Sequence, residues 1–190
     1  MLTRRIIGST SKCFSRSVQT ASDWVSLHGA NGSPYTKKVQ TALRYKRIPF
    51  TFHQLMPNNF NGDWEEKGFG HIKPKVIPVI KYSDGSAAND STFIFEKLDL
   101  QYPARPIIPS DPVLGFLSLL LEDMFDEWGT KVMFGKRWQQ EVDQDWSGAW
   151  LLYDNVLGSG QPLHQVNTTS QPSFIENIIL CINPFYCTMD

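Results

Sequence analysis

Between Cys13 and Cys181 the chain has no cysteine at all, and only Cys187 lies beyond. Three cysteines, an odd number kept out of the interior, cannot brace a core with disulfides, and a reducing compartment is the simpler setting for them. Net charge is almost lacking too, at −1 over 190 residues, which removes the electrostatic reason to expect nucleic acid or an anionic membrane as partner. Long apolar runs are missing. The nearest, Val113 to Leu121, is interrupted by Gly115 and Ser118 and flanked by Asp111 and Glu122, so it reads as a core helix. His28, His53, His71 and His164 show no metal-ligand spacing. Glu122 with Asp126, and Asp123 with Glu127, share helix faces but have no histidine beside them, so no metal is expected and those acids read as a solvated or interdomain face.

Acidic residues are absent before Asp23. The segment 1–22 carries Arg4, Arg5, Lys12 and Arg16 among serines and threonines, and on a helix Leu2, Ile6 and Ile7 fall near one face. That is the composition of a mitochondrial transit peptide, which points to the matrix; the alternative is a basic arm without an address in a cytoplasmic protein. A secretory signal needs a longer apolar stretch than Ile6-Ile7 supplies.

From Val25 onward the chain is patterned. Val25 to Ala30 alternates apolar and polar and then breaks at Asn31-Gly32-Ser33-Pro34, which predicts a strand and a tight turn. Pro34 suits a first helical position, and Tyr35, Val39, Ala42 and Leu43 recur at helical spacing with Lys37, Lys38 and Arg44 outward. That helix ends before Ile48-Pro49. Phe50 to Leu55 alternates again, and a loop from Met56 to Gly62 leads to a short helical piece near Trp64 to Lys67. The β-branched run Val76 to Tyr82 predicts a strand, Asp84-Gly85 a hairpin turn, and Ser86 to Ala88 a return strand. Asp90 then caps a helix from Ser91 to Leu100, with Phe93, Ile94 and Leu98 inward. The order is βαβ, loop, ββα, opening with a right-handed parallel unit. Pro78 conflicts with a central strand unless it opens the strand and the Ile77–Pro78 bond is cis, an arrangement that turns the Ile77 backbone toward a ligand.

Pro103, Pro106, Pro109 and Pro112 mark a linker over 104–111. A helix starting at Asp111-Pro112 carries one apolar stripe, Val113, Phe116, Leu117, Leu120, Met124 and Trp128, and a second helix is expected from about Asp143 to Leu157. Residues 158–190 lose all period and read as an irregular tail.

Three short motifs carry chemistry. Ser33-Pro34-Tyr35-Thr36 sits after the first strand at the mouth of a helix, where a hydroxyl can donate to a thiolate while the helix dipole favours the charge. A serine there is equally a plain N-cap. Val76-Ile77-Pro78-Val79-Ile80 places a proline at a strand start, and Asp90-Ser91 opens the next helix. Asp90 can accept from an ammonium, or serve only as a cap. Ser91 and the backbone N–H groups of that helix start can bind a carboxylate.

In order and spacing these motifs resemble the opening domain of the glutathione transferases, over roughly Trp24 to Tyr102. Ser33 and Thr36 stand where glutaredoxins carry the two cysteines of Cys-Pro-Tyr-Cys, which excludes dithiol and monothiol exchange chemistry. The resemblance implies an α/β chain, a thioredoxin-like βαβ-ββα domain over 24–103 followed by an incomplete all-α domain over 112–157. It implies glutathione as co-substrate and Ser33 as the catalytic residue, stabilising a thiol whose free pKa is about 8.5 as the thiolate. The Ile77 backbone beside Pro78 would pair with the cysteinyl part, and Asp90 and Ser91 would hold the γ-glutamyl end. Lys75 would meet the glycyl carboxylate or remain solvated. A small-molecule electrophile is the implied second substrate, and a second copy of the chain, as a homodimer, a candidate partner. A non-catalytic transferase-like module, binding glutathione or a protein, is the competing reading, favoured by the short second domain.

Overall fold

Alternation sets the sheet. In the computed structural model of the chain, which describes residues 24–57 and 63–159, β1 (Val25–Gly29) lies between β2 (Phe50–Gln54) and β3 (Val79–Lys81), with β4 (Ala87–Asn89) outermost, in the order β2-β1-β3-β4. β1 runs parallel to β2, with Leu27 opposite Phe52, and antiparallel to β3, with His28 opposite Val79; β3 and β4 are antiparallel, with Val79 opposite Asn89. The sheet is therefore mixed, as the βαβ-ββα order requires. β3 is shorter than the run Val76 to Tyr82, because Pro78 precedes the first paired residue; the Ile77–Pro78 bond is cis, as is Lys73–Pro74. β4 begins one residue later than the hairpin signal placed it.

Successive residues of a strand face opposite sides, which gives two cores. On one side α1 (Pro34–Lys46) and α3 (Ser91–Gln101) cover the sheet, and Leu27, Val39, Leu43, Ile80, Ile94 and Leu98 are fully buried there. Each such side chain contributes about 1.5–3 kcal/mol by leaving water. On the other side Leu55, Trp64, Phe69, Ile72 and Val79 form a second cluster around the short α2 (Asp63–Glu66). Phe93, expected inward, is exposed. It precedes Ile94 by one residue, which on a helix rotates it about 100° away from the Ile94–Leu98 face.

The linker is fastened. The Lys46 ammonium, at the end of α1 and fully buried, donates to Asp99 Oδ1 at 2.5 Å and to the Arg105 carbonyl at 2.8 Å. Asp99 also accepts from the backbone N–H groups of Ile107 and Ile108 at 2.9 Å.

Beyond it, α4 (Pro112–Met124) starts on Asp111, whose carboxylate accepts from the Val113 and Leu114 N–H groups at 3.0 and 2.9 Å. It runs through a π turn (Phe125–Gly129) directly into α5 (Thr130–Trp138), and α6 (Glu141–Ser159) comes next. The rest of the stretch expected as an irregular tail lies outside the described residues. Two expectations are corrected here. α5 was not foreseen, because Gly129 and Gly135 dilute the apolar repeat at that point. The stripe Val113, Phe116, Leu117, Leu120, Met124 and Trp128 is not a core face: Phe116 is 64% and Trp128 67% exposed. Periodicity identified one face of the helix, but among the described residues too few helices are present to enclose it. No described helix is long and apolar enough to cross a membrane.

Candidate functional site

Strand register decides what meets. His28 opposite Val79 and Val79 opposite Asn89 mean that the turn after β1, the Ile77–Pro78 start of β3 and the Asp90–Ser91 start of α3 leave the sheet at one end. Ser33, Ile77, Pro78, Asp90 and Ser91 are thereby brought to a common edge. Two strand spacings separate β1 from β4, about 9–10 Å.

Ser33 is the N-cap of α1. Its Oγ accepts from the Thr36 N–H at 3.2 Å, its carbonyl accepts from Lys37 at 3.1 Å, and its own N–H donates to the Ala30 carbonyl at 3.1 Å. Accepting as a cap leaves the hydroxyl hydrogen uncommitted by that bond. Thr36 is fully buried against Gly29, where a Cβ would lie 2.4 Å from Thr36 Oγ1, so the close approach of α1 to β1 requires glycine.

Asp90 caps α3, its Oδ1 accepting from the Thr92 N–H at 3.0 Å, and it does so at φ 71°, a left-handed value uncommon for any residue but glycine. Strain of this kind clusters at functional sites. Ser91 is buried, and its Oγ accepts from the Lys38 ammonium at 3.1 Å. Lys38 also pairs with Glu122 and, at 2.5 Å, with Asp126, while Thr92 Oγ1 donates to Glu122 at 2.6 Å. Burial pushes the Asp126 carboxyl up, the Lys38 bond opposing it. At Glu122 burial acts the same way, but the bonds from Lys38 and Thr92 outweigh it and hold the carboxyl down. Of the acids read as a solvated or interdomain face, Glu122 and Asp126 are interdomain, with Lys38, expected outward, as their partner, while Asp123 and Glu127 are exposed. Tyr35 adds a hydroxyl donated to the Asp126 carbonyl at 3.0 Å.

The turn itself is gripped from the helical region. The Asp154 carboxylate of α6 accepts from the Gly32 N–H at 2.7 Å and the Asn31 amide at 3.2 Å, and Arg137 of α5 donates to the Gly32 carbonyl at 2.6 Å. Burial pulls the Arg137 guanidinium down and Asp154 opposes it.

The Lys75 ammonium is paired with Glu65 at 2.5 Å. His28, on the far side of β1 from Leu27, is buried with its ring stacked on His53 at 4.8 Å and edge-on to Phe69 at 4.7 Å. Burial, and then the charges of His53, Lys67 and Lys81, push its pKa down to about 3. It is a neutral core group. Among the described residues no three His, Cys, Asp or Glu side chains converge as a metal site.

Sequence reasoning missed Lys38, Arg137 and Asp154, whose partners lie 53 to 123 positions away. No local period encodes such pairings. The one available signal was the pair of acids spaced i, i+4 on α4 and the π turn, which marks a face without naming its partner.

Residues 27–106 match the family described as glutathione S-transferase, N-terminal domain. The chain is 37% identical over 89 residues to glutathione S-transferase U9 of Arabidopsis thaliana, covering 46% of this chain and 35% of that one. Across the matched curated relatives the aligned part spans between 35% and 47% of their length. Two solved structures share the fold: a glutathione S-transferase from Methylobacterium radiotolerans in complex with glutathione sulfonate (TM-score 0.51, 24% identity, covering 72% of this chain and 63% of that one) and a Tau class glutathione S-transferase from mango, Mangifera indica (TM-score 0.50, 23% identity, 72% and 64%). The mixed sheet, its helices and the family match together make residues 27–106 an N-terminal domain of the glutathione transferase superfamily.

Proposed function

We propose that the edge formed by Ser33, Ile77, Pro78, Asp90 and Ser91 binds glutathione, and that Ser33 stabilises its thiolate for conjugation to small electrophiles. The observation that carries this reading is the register, which leaves three polar chain segments at one end of three adjacent strands. A tripeptide extended across them reaches about 10 Å, the width available there. The Ser33 end suits the sulfur, because the α1 N-terminus and a free hydroxyl hydrogen both favour negative charge. Asp90 would take the γ-glutamyl ammonium, and Ser91, with its Oγ accepting from Lys38, has its own hydrogen left to donate to the carboxylate. The Ile77 backbone would meet the cysteinyl part, and the Lys75–Glu65 pair would have to open for Lys75 to reach the glycyl carboxylate.

Separating the sulfur contact from the charged end tests it. Ser33→Ala should leave the affinity for S-methylglutathione nearly unchanged while raising the bound thiol's pKa by roughly one to two units, the equivalent of one lost charge-assisted hydrogen bond. Asp90→Ala should weaken binding on the order of tenfold to a hundredfold. The variant also loses a helix cap, at about 1 kcal/mol, so the thiolate's ultraviolet absorbance and not turnover is the readout. An unchanged thiol pKa would make Ser33 a cap alone. A second reading, a binding module without turnover, is favoured by the open stripe of α4, which offers a protein partner an apolar surface.

Residues 1–22 lie outside the described residues, and the proposal for them rests on composition. Fused to a reporter, residues 1–30 should direct it to the mitochondrial matrix. A diffuse cytosolic reporter would overturn that.

A further inference from the structure

The residue before Ser33 is held on both of its peptide planes by side chains from the helical region. The Gly32 N–H points at Asp154 Oδ2, 2.7 Å away, and the Gly32 carbonyl at Arg137 Nη2, 2.6 Å away. Asp154 is only 2% exposed, so its bonds face no competition from water. The plane joining Gly32 to Ser33 is thus bonded at both ends, through Arg137 at the carbonyl and through the Ala30 carbonyl at the Ser33 N–H. Position 32 also has little room for a side chain. A Cβ there would sit 3.0 Å from Leu151 and 3.5 Å from Asp154, so glycine lets α6 approach closely enough for the carboxylate to reach the backbone.

A buried carboxylate is an awkward neighbour for a site meant to stabilise an anion. Its negative charge, some residues from where a thiolate would form, opposes ionisation. Its value must then lie in geometry, since a hydrogen bond to a thiolate weakens steeply once its angle is lost. Arg137 offsets the charge from the other side of the same glycine.

We infer that Asp154 and Arg137 are positioning residues for Ser33: they lock the turn from 30 to 33 so that the Ser33 hydroxyl aims at the ligand's sulfur, and they make that aim depend on the docking of α5 and α6. The inference rests on the proposed role of Ser33 and deepens it. It assigns to the helical region a task in positioning the contact to the sulfur.

The test compares four variants of the full chain, reading the pKa of bound glutathione by thiolate absorbance and the affinity for S-methylglutathione by calorimetry. Asp154→Ala and Arg137→Met should each raise the thiol pKa by about one unit, a tenfold loss of thiolate below that pKa, with affinity for S-methylglutathione changed less than about threefold. Asp154→Asn, which keeps an oxygen acceptor for Gly32, should restore a pKa near that of the unaltered chain. If the carboxylate acted only through its charge, both Asp154 variants would instead lower the thiol pKa, and the inference would fail. It would fail too if Ser33→Ala raised the pKa while Asp154→Ala and Arg137→Met did not. If Ser33→Ala itself moved nothing, the proposed role of Ser33 would fall first and this inference with it. Should Asp154→Ala not fold, Arg137→Met, at a less buried position, carries the decision alone.

Discussion

At the scale of single residues, His28 shows how burial turns a titratable group into a structural one. Folded, it stays neutral down to about pH 3, whereas the unfolded chain protonates it near 6.5. Below pH 6.5 the unfolded state therefore binds the additional proton, so the stability of the neutral, buried ring is present above 6.5 and is lost as pH falls toward 3, at up to about 1.4 kcal/mol per pH unit. Urea unfolding at about pH 6.5 and about pH 5 should show this loss, and in His28→Gln the difference between the two should shrink by roughly 1.5–2 kcal/mol. An undiminished difference would place the acid sensitivity elsewhere. Asp90 illustrates the opposite case, a residue held at φ 71° by its capping bond, where the sequence showed a cap but could not show the strain.

At the scale of elements, much of the first region was legible because its signals are local. Alternation in Val25 to Ala30 and in Phe50 to Leu55, the Ser33-Pro34 helix start and the Asp84-Gly85 turn each act within a few residues, and the strands and helices appear there. The edge that gathers Ser33, Ile77, Pro78, Asp90 and Ser91 emerged from strand order once the motifs fixed the register. What escaped was whatever depends on two elements meeting. Lys38 reads as solvent-facing on α1 alone, yet α4 and the π turn cover it with Glu122 and Asp126. The α4 stripe reads as core because a helix cannot announce whether a neighbour will reach it; Phe116 and Trp128 remain open among the described residues. α5 was hidden by two glycines that weaken propensity without ending the helix, since α4 feeds directly into it through the π turn.

At the scale of the whole molecule, hydrogen bonds and ion pairs among the described residues join the two regions at the Lys38 cluster, the Gly32 grip and the linker itself. The linker's attachment has a kinetic corollary. A stretch with three prolines and no regular structure ought to be the seam where proteases enter and amides exchange first. Here the Asp99 carboxylate holds the Ile107 and Ile108 amides while Lys46 holds Arg105, so the seam is sutured to the core of the first region. Those two amides should exchange with deuterium as slowly as amides within α3. In Asp99→Ala both amides should lose that protection together, with exchange faster on the order of tenfold to a hundredfold, the worth of a charge-assisted hydrogen bond. Fast exchange at Ile107 in the unaltered chain would show the suture to be slack. Held as described, it gives the two regions a common fate: neither opens at its boundary before α1 and α3 begin to part.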